Sequence, residues 1–427
     1  MANTRLTRTN SGNATEVKKG TISLWFKATE VLTGGSDRWL IGQYTDGNAH
    51  FYIYLRNSGA IGIYQVEGGS TQYNYITRMI VRDNSAWYHL VLAWDTTVST
   101  ATERTKLYIN GERITTFETQ TNIPQNYGLR IADPRVQYIG GVSGYGTHYN
   151  GLMSHVHYAD GTQYAPTVFG SVDSVTGEWQ INTSPSFTPG ANGFTILKDG
   201  NTITDQSANS NNFALGAGAI TNTKDCASNI MATLNPLLPE AGGFNGASPT
   251  LANGATKFTT TNSGGVYDVS LSTIGMSSGK YYAECKKLSG GQGLIGIRGW
   301  QGTSPNNYLG DTSRDYALYV DGKMYTNNSE TNIGAASYAN NDIIGVAVDC
   351  DNWKIYFYKN GSIQNSSGYT IANIALDNNF RSYNNYFFGC CEWDSSGNGS
   401  WEWNFGNGFF GTTAITTNSG NGYAGAE

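Results

Sequence analysis

The sequence predicts an all-β protein built from two β-sandwiches, and three observations support this prediction. Short runs in which apolar and polar residues alternate recur along the chain, as expected for strands with one buried face. Asp-Gly and Asn-Gly pairs, which favour the tight turns of β-hairpins, separate several of these runs. Neither half of the chain has the apolar spacing i, i+3, i+4, i+7 of an amphipathic helix.

The first sandwich is predicted over residues 1–169. Its strand-like runs are TISLWFK, RWLIGQY, HFYIYLR, AIGIYQV, AWYHLVLAWD, TKLYIN and GLMSHVHY. Turn signals between them include Asp46-Gly47 and Asn110-Gly111. The second pair joins KLYI to ERIT, and a type I′ turn needs positive φ at both central residues. We therefore expect a hairpin at Asn110-Gly111.

The second sandwich is predicted over residues 255–412. Its strand-like runs are KFTT, KYYAECKK, GLIGIRGW, YALYVDGKMYT, DIIGVAVDCD, KIYFYKNGSI, YFFGCCEW and WEWNF. Asp321-Gly322 and Asn360-Gly361 mark two hairpins. Because side chains alternate along a strand, Cys390 and Cys391 are expected to point to opposite faces.

Residues 170–254 are predicted to form a Pro/Gly/Asn-rich connecting segment packed on one sandwich. Pro185, Pro189, Pro236 and Pro239 punctuate this segment, and its apolar content is too thin for a third core. Within it, GFTILKD could add a strand to a sandwich. Residues 413–427 are predicted to be a flexible C-terminal tail.

Composition and charge exclude several classes of function. Only 14% of the residues are charged, against about 25% in an average globular protein. The net charge is −6, and no cluster of Lys or Arg forms a surface for nucleic acid. No stretch approaches the roughly 20 apolar residues of a membrane span, and the N-terminal residues lack the apolar region of a secretory signal. We expect neither a nucleic-acid partner nor membrane insertion.

The cysteines indicate a reducing environment. Their number is odd, and none are spaced as Cys-x-x-Cys, so neither a disulfide framework nor a zinc ribbon is expected. They are Cys226, Cys285, Cys350, Cys390 and Cys391. We interpret them as buried free thiols in a chain that folds in the cytoplasm.

Aromatic residues are abundant, at 13% of the chain, and they are the most informative feature of the composition. Rings in or beside loops suit a sugar, because a ring covers the apolar face of the sugar while nearby amides and carboxylates pair its hydroxyls. The same residue types dominate protein interfaces, so glycan contact and protein contact stay equal alternatives. The candidate glycan- or partner-binding residues are Trp300, Tyr308, Asp311, Tyr383, Tyr386 and Trp393.

The histidines all lie in the first predicted sandwich. His155 and His157 are two apart in a predicted strand and are expected on one face, where they could bind a metal together with His148. The alternative is a polar outward face or a pair of hydrogen-bonded ring nitrogens.

The first half resembles the laminin-G and concanavalin A-like jelly roll. The resemblance is carried by TISLWFK, AWYHLVLAWD, TKLYINGERI and GLMSHVHYADG, in that order. Members of these families often hold calcium on loop oxygens, and the loop-placed candidates here are Asp46, Asn48, Asp95 and Asp160. The resemblance implies no other cofactor.

The second half resembles the SPRY domain. SSGKYYAECK at residues 277–286 resembles that family's strand ending in Glu, and LGDTSRDYALYVDGKMYTNN at residues 309–328 its central segment. DIIGVAVDCDNWKIYFYKNG at residues 342–361 resembles its most recognisable pair of strands.

The tandem, with its segments DQSANSNNF, ATLNPL and FGNGFFGTTA, resembles virion-associated proteins of tailed phages of marine bacteria. This resemblance implies a non-enzymatic virion structural protein, either a capsid decoration or a tail- or fibre-associated protein, assembled in the host cytoplasm. Its expected partners are other virion proteins, further copies of the same chain in a homo-oligomer, and host surface polysaccharide.

Two alternative functions remain open. One is a pure capsid cement protein without a host ligand. The other is a polysaccharide-degrading enzyme, because concanavalin A-like folds also house glycoside hydrolases that use paired carboxylates. The partial match to such a motif is Glu392-Trp393-Asp394, which lacks the second Glu and falls in the other predicted domain.

Overall fold

The computed structural model describes residues 4–10, 12–29, 36–144, 147–198, 203–237, 249–260, 267–299, 308–374, 384–393, 399–411 and 413–415. The chain divides into two compact units, Met1–Asn222 with Cys226–Ile230, and Thr223–Asp225 with Met231–Glu427. Both are β-structures, and the helices in the described ranges are single 3-10 turns at Ala101–Glu103, Arg130–Ala132 and Pro166–Val168. The predicted all-β fold class is confirmed. None of the helices in these ranges has the length and hydropathy needed to cross a membrane.

The strands of the first unit are β1 (Arg5–Thr9), β2 (Lys19–Ala28), β3 (Arg38–Asp46), β4 (Ala49–Leu55), β5 (Ala60–Glu67), β6 (Ser70–Ile80), β7 (Tyr88–Asp95), β8 (Thr105–Ile109), β9 (Glu112–Arg113), β10 (Phe117–Thr121), β11 (Val136–Ile139), β12 (Gly151–Asp160), β13 (Gly170–Val172), β14 (Trp179–Ile181), β15 (Phe194–Ile196) and β16 (Ala214–Ala217). They form an eight-stranded sheet in the order β10-β6-β5-β4-β3-β11-β1-β16, a six-stranded sheet in the order β15-β12-β2-β7-β8-β9, and the hairpin β13-β14.

The core of the first unit lies between its two large sheets. Ile22, Leu24 and Phe26 of β2 and Phe51 and Ile53 of β4 are fully buried in one hydrophobic cluster. Each set recurs at every second residue, which is the spacing of one face of a strand. The opposite faces of the same strands are therefore free to carry other side chains.

The strands of the second unit are β17 (Thr250–Ala252), β18 (Lys257–Thr259), β19 (Tyr267–Leu271), β20 (Lys280–Ser289), β21 (Gln292–Gly299), β22 (Asp315–Tyr319), β23 (Lys323–Thr326), β24 (Ser329–Asn332), β25 (Ile343–Asp349), β26 (Lys354–Lys359), β27 (Ser362–Ile363), β28 (Tyr369–Thr370), β29 (Tyr386–Trp393), β30 (Ser400–Asn404), β31 (Phe409–Phe410) and β32 (Thr413–Ala414). One sheet has the order β17-β18-β30-β20-β25-β26-β27, with β28 also paired to β26. The other has the order β19-β29-β21-β22-β23-β24, and β31-β32 is a separate hairpin.

The second unit also has its core between two sheets. Ile295 and Ile297 of β21 and Val346 and Val348 of β25 share one buried cluster, which includes Cys390. Its neighbour in sequence, Cys391, is buried in a different cluster on the outer face of the smaller sheet. The prediction that these adjacent cysteines point to opposite faces is confirmed.

The strands of residues 170–254 are shared between the two units. The hairpin β13-β14 packs Trp179 on His89 of the first unit, and β15 extends its six-stranded sheet beside β12. Strand β15 lies within GFTILKD, as predicted. Strand β16 pairs with β1 of the first unit, whereas β17 pairs with β18 of the second.

Candidate functional site

The outer face of the eight-stranded sheet of the first unit carries a group of aromatic rings, here called the aromatic platform. In β4, Phe51 and Ile53 point into the core. Because side chains alternate, His50, Tyr52 and Tyr54 project from the other face. Neighbouring strands add further rings to them. The platform consists of Trp39, Tyr44, His50, Tyr52, Tyr54 and Tyr64.

The rings of the platform stack in a row. Trp39 and Tyr52 have centroids 3.8 Å apart at an interplanar angle of 17°. His50 lies 5.4 Å from Tyr52 at 23°, and Tyr44 lies 5.8 Å from His50 at 24°. These four rings therefore lie nearly face to face along the row, whereas the other two meet Tyr52 edge-on, Tyr54 at 63° and Tyr64 at 60°. The rings that are partly exposed are those of Tyr44, Tyr52 and Tyr64.

Two glycines on neighbouring strands make room for tyrosines of the platform. Gly62 of β5 pairs with Tyr54, and a Cβ atom at Gly62 would overlap the Tyr54 ring. Gly42 of β3 pairs with Tyr52, where an added Cβ atom would lie 2.8 Å from the Cβ of Tyr52. The Tyr54 ring can therefore lie over Gly62, and Gly42 lets the backbone of β4 approach β3 closely at Tyr52.

The platform borders an open cavity of about 450 Å³, a size in the range of small-ligand sites. It is lined by Ser36, Asp37, Trp39, Tyr44, Gly47, His50, Tyr52 and Thr147. Among the described residues of this lining, Asp37 brings the one carboxylate. Burial raises the pKa of Asp37 above its ordinary value, and the charges of Arg56 and Arg38 act in the opposite direction.

Two hydrogen-bonding groups of the platform, His50 and Tyr54, are neutral at neutral pH. Burial lowers the pKa of His50, and its Nδ1 lies 3.1 Å from the carbonyl oxygen of Asp46. A carbonyl only accepts, so Nδ1 carries the hydrogen and Nε2 is left as an acceptor. Burial raises the pKa of Tyr54 to about 12, so its phenol keeps its proton. Ring faces beside uncharged donors and acceptors suit a polar ligand that also has apolar faces.

The sequence contained the signal for this platform, but the prediction placed the contacts elsewhere. In HFYIYLR, the residues that alternate with Phe51 and Ile53 are aromatic or imidazole side chains. Such a strand has ring side chains on both faces. The hydrophobic core explains the rings on the inner face, but it does not explain those on the outer face. The prediction favoured aromatic residues in loops and overlooked this second face.

The structure separates the predicted contact residues of the second unit. Trp300 and Tyr383 lie outside the described residues. Tyr308 and Asp311 lie between β21 and β22. Tyr386 does not fit the prediction, because its ring is fully buried in the core and its hydroxyl donates to the carbonyl of Ala372. A side chain in that position cannot contact a glycan or a partner.

Tyr308 belongs to a second group of rings, here called the tyrosine cluster, on the outer face of the smaller sheet of the second unit. Tyr267 lies 5.2 Å from Tyr308, which lies 6.0 Å from Tyr325, which in turn lies 5.5 Å from Tyr319, measured between ring centroids. All four rings are partly exposed. The backbone of Trp393 is paired with that of Tyr267 at the same edge.

A buried ion pair holds the turn that carries Tyr308. Arg298 donates from Nε to Oδ1 of Asp315 at 2.9 Å and from its Nη2 atom to Oδ2 at 2.6 Å. The same Nη2 atom donates to the carbonyl of Tyr308 at 2.8 Å, and Gly310 N donates to Asp315 at 3.0 Å. Both side chains are almost completely buried, so the turn is fixed to the sheet beneath it.

Two families match different parts of this sequence. Residues 3–168 match the concanavalin A-like lectin/glucanases superfamily, and residues 280–383 match the SPRY domain. The chain combines a concanavalin A-like domain with a SPRY domain. Both domain resemblances predicted from the sequence are confirmed. The aromatic platform lies within the matched part of the concanavalin A-like domain.

Several solved structures are similar to parts of this chain. The SPRY domain of human HERC1 is 18% identical over 40% of this chain and 96% of that one, with a TM-score of 0.31. A heptameric SAP-like pentraxin from Limulus polyphemus is 16% identical over 38% and 72%, with a TM-score of 0.27. A putative carbohydrate binding protein from Bacteroides ovatus is 15% identical over 51% and 60%, with a TM-score of 0.34. A search of curated proteins gives no match.

The predicted calcium ligands of the concanavalin A-like domain are divided between its two large sheets, with Asp95 and Asp160 at the ends of strands of the six-stranded sheet. Asp46 and Asn48 share the turn between β3 and β4, where Oδ1 of Asp46 accepts from the N–H of Asn48 at 2.7 Å. Asp95 pairs with Lys19 at 3.0 Å, and Asp160 accepts from two backbone N–H groups at 2.7 and 3.0 Å. Within the described ranges, no group of three or more His, Cys, Asp or Glu side chains could hold a metal ion. Calcium binding stays a prediction.

The paired histidines of this domain do not follow simple alternation. The register of β12 against β2 shifts between Ser154 and His157, and His155 adopts a φ of 49°. Their ring centroids lie 6.2 Å apart, and both side chains are buried. Nδ1 of His155 is hydrogen-bonded to the Ser154 hydroxyl at 2.6 Å. Of the two interpretations of the sequence, hydrogen-bonded ring nitrogens describe this pair.

Ser23 and His89 form a contact that resembles part of a hydrolase triad, but the hydrogen bond between them runs in the opposite direction. Oγ of Ser23 lies 2.8 Å from Nε2 of His89, and the indole N–H of Trp179 donates to Nδ1 at 2.9 Å. An indole only donates, so Nδ1 accepts and Nε2 carries the hydrogen. Burial also lowers the pKa of His89 to about 3. His89 thus donates to Ser23 and cannot serve as its base in this arrangement.

Glu392, the candidate acid of the enzymatic alternative, lies inside the SPRY domain. Its side chain is fully buried and paired with Lys287 at 3.0 Å. It also accepts from the indole of Trp401 at 3.0 Å and from the backbone N–H of Gln292 at 2.7 Å. A carboxylate that is fully buried and enclosed by three protein donors is not accessible to a polysaccharide.

Proposed function

We propose that this protein is a non-enzymatic structural protein of a tailed-phage virion that binds host surface glycan through the aromatic platform of its concanavalin A-like domain. The platform is the observation that supports the glycan ligand. Its partly exposed tyrosine rings, Tyr44, Tyr52 and Tyr64, can contact the apolar face of a sugar, while the tyrosine hydroxyls, the neutral His50 and Asp37 can pair sugar hydroxyls. The matching family is described as lectins and glucanases, which agrees with a carbohydrate ligand.

Two sets of side chains resemble catalytic groups, and neither is arranged for catalysis. This supports the non-enzymatic part of the proposal. His89 is held by Trp179 in the tautomer that donates to Ser23. Glu392 is buried and fully engaged with Lys287 and its neighbours. Binding without bond cleavage is therefore the function that we assign to the domain.

The virion part of the proposal rests on the resemblance of the whole tandem to phage proteins. Virion components repeat with symmetry, so we expect a homo-oligomer that contacts other virion proteins. Trp300, Tyr383 and Trp393 remain proposed glycan or partner contacts on the SPRY domain. The chain would be incorporated into particles in the host cytoplasm.

The glycan proposal is tested by measuring the affinity of the chain for isolated host surface polysaccharide. Tyr44→Ala and Tyr52→Ala should each weaken binding by about tenfold, a loss of about 1.4 kcal/mol, because each removes one ring of the stacked row. Tyr281→Ala is the matched control, since Tyr281 is 36% exposed and lies in the other unit. Equal binding by the wild type and both platform variants would refute the proposal.

The tyrosine cluster supports a second candidate function, attachment to a neighbouring virion subunit without a host ligand. Tyrosine is enriched at interface hot spots, and the buried Arg298–Asp315 pair holds the turn of Tyr308 in place. A map of the virion separates the two functions. Copies seated on a capsid face through the tyrosine cluster would favour the cement function, and copies on a tail or fibre would favour adsorption.

A further inference from the structure

The tyrosine cluster of the SPRY domain differs in geometry from the aromatic platform. Tyr308 stands at 83° to Tyr325, and Tyr319 stands at 72° to Tyr325, with centroids 6.0 and 5.5 Å apart. In such an edge-to-face contact, the ring that contributes its edge keeps both of its faces open to another partner. All three rings are partly exposed. Ring faces of the cluster are therefore available to a ligand.

The hydroxyl hydrogens of these three tyrosines are already used inside the domain. Tyr308, Tyr319 and Tyr325 each donate to a side-chain oxygen. The acceptors are, in the same order, Asn328 Oδ1 at 2.5 Å, Gln292 Oε1 at 3.3 Å and Glu330 Oε2 at 3.2 Å. Among the residues that the structure describes, no N–H or O–H group donates to these hydroxyls. Their lone pairs remain available, so towards a ligand the three hydroxyls act as acceptors.

The cluster is also surrounded by negative charge. Each of the three rings has a carboxylate nearby, which acts together with burial to raise the pKa of the phenol. These carboxylates are Asp311 beside Tyr308, Asp321 beside Tyr319 and Glu330 beside Tyr325. Lys323 balances one of the three charges, because its Nζ lies 2.8 Å from both carboxylate oxygens of Glu330 and 3.8 Å from Oδ2 of Asp321. Net negative charge remains.

Other cations of the described chain near the cluster are engaged elsewhere. Arg298 and Lys287 each form a buried pair with a carboxylate, and the charge of Arg314 acts on a tyrosine of the core. Two stretches of sequence bring the first rings to the cluster, residues 258–279 and 299–313, and they contain no Lys or Arg. The negative charge beside the rings is therefore left for a ligand to balance.

Ring faces, phenol lone pairs and net negative charge together favour a ligand that is cationic and rich in hydrogen-bond donors. A guanidinium group stacks on aromatic faces, is always charged and carries five N–H donors. An ammonium group has the charge, but it is a compact and strongly hydrated point charge. The cluster lies on the outer face of a sheet, whereas small molecules bind in concave sites. It therefore suits a side chain that a polypeptide presents.

We infer that the tyrosine cluster binds an arginine side chain of a partner protein. In this assignment the guanidinium group lies against the ring faces, its N–H groups donate to the phenol oxygens, and Asp311 and Asp321 supply the opposite charge. The inference adds the chemistry of the partner to the second candidate function, and it rests on that function for the use of the cluster as a contact surface. It does not rest on glycan binding by the platform.

The experiment measures binding of dye-labelled Gly/Ser peptides to the full chain by fluorescence anisotropy. One peptide carries arginine at every third position, and two matched peptides carry citrulline or lysine at the same positions. The arginine peptide should bind at least about tenfold more tightly than the citrulline peptide, because citrulline has nearly the same shape without the charge. It should also bind more tightly than the lysine peptide, which lacks the planar group.

Variants of the chain locate the binding site. Tyr325→Ala should lose about tenfold in affinity for the arginine peptide, because it removes the ring that the other two contact. Asp311→Asn keeps the size of the side chain and should lose about threefold, as expected for an exposed ion pair. Tyr281→Ala removes an exposed ring on the larger sheet of the same unit and should bind as the wild type does. Thermal unfolding of each variant checks that the fold is kept.

Each other outcome overturns the inference. Equal affinity for the arginine and citrulline peptides would remove the role of the charge, and equal affinity for the lysine peptide would remove that of the guanidinium group. Undetectable binding of the arginine peptide, or unchanged binding by both Tyr325→Ala and Asp311→Asn, would reject the site. If a virion map still placed the cluster against a neighbouring subunit, the second candidate function would stand without arginine. Polysaccharide binding by the platform variants reports only on the glycan proposal.

Discussion

The ring of Trp39 stacks on the ring of Tyr52 with centroids 3.8 Å apart, although the backbone of Trp39 is paired with Tyr54. The register between β3 and β4 shifts directly after Trp39, between Trp39 and Ile41. A bulge of this kind re-aims a side chain relative to regular pairing. The densest contact of the aromatic platform therefore depends on a local irregularity of the sheet.

Gly62→Ala is expected to disturb the platform without removing any of its rings. The new Cβ atom would overlap the ring of Tyr54 and force it to move. Overpacking of this kind typically costs about 1–3 kcal/mol of stability. We also expect an approximately tenfold loss of polysaccharide affinity, because the displaced ring pushes on Tyr52, whose centroid is 5.0 Å away. Urea unfolding and polysaccharide titration measure the two effects.

The matched control is Gly291→Ala in the second unit. A Cβ atom at Gly291 would meet no heavy atom within 4 Å, and its φ is not in the left-handed region. Its stability and affinity should match those of the wild type. If Gly62→Ala behaved like Gly291→Ala in both measurements, the close fit between Gly62 and Tyr54 would be contradicted.

Alternation along strands explains how much of the fold could be predicted. It is sufficient to put Phe51 inside and to separate Cys390 from Cys391. It would also have placed Tyr386 inside, because Tyr386 lies four residues before the buried Cys390 on the same strand. Loop-like surroundings led to the opposite prediction. Alternation applied to both faces of this strand places Tyr386 in the core.

The remaining features depend on contacts between residues that are far apart in sequence. The stack of Trp39 on Tyr52 needs a register shift, and the placement of His155 needs another in β12. The tautomer of His89 is set by the indole N–H of Trp179, which lies ninety residues away in sequence. Local alternation contains no information about such shifts or distant partners, so they could not be predicted from the sequence.

The stability of the first unit is expected to fall as the pH drops from about 6.5 towards 3. Burial lowers the pKa of His89 to about 3 from the ordinary value of 6.5. Between these values the unfolded chain binds a proton that the folded chain does not bind. The free energy of unfolding therefore decreases on acidification, by up to about 1.4 kcal/mol per pH unit for this residue. Urea unfolding at several pH values between 7 and 4 measures the slope.

His89→Gln tests the assignment of this slope. The variant is expected to be less stable at pH 7, since Ser23 and Trp179 lose their partner, but its pH slope should be smaller by about one proton. Part of the slope should remain, because burial also holds the pKa of His157 well below its usual value. An unchanged slope in His89→Gln would show that His89 titrates normally.

The pair of Lys287 and Glu392 is expected to be costly to break from one side. Lys287→Met would leave the carboxylate of Glu392 buried without its cation, with a loss of about 3–5 kcal/mol in the free energy of unfolding. The double variant Lys287→Met with Glu392→Gln should lose less, because no uncompensated charge remains. Urea unfolding of both variants, with Glu392→Gln alone, completes the cycle. Additive losses would contradict coupling across the 3.0 Å contact.

The five thiols are expected to differ sharply in reactivity with a chromogenic disulfide reagent. Cys226 is partly exposed, whereas Cys285, Cys350, Cys390 and Cys391 are buried. The thiolate is the reactive form, and burial raises the pKa of Cys350 to about 11, so little thiolate forms there at pH 8.

Under native conditions we therefore expect one fast equivalent, and the remaining four only after unfolding in urea. Cys226→Ser should abolish the fast phase and leave the slow equivalents unchanged. Since all four buried thiols lie in the second unit, a second fast equivalent in the native protein would mean that this unit opens to reagent more readily than the burial of its thiols implies.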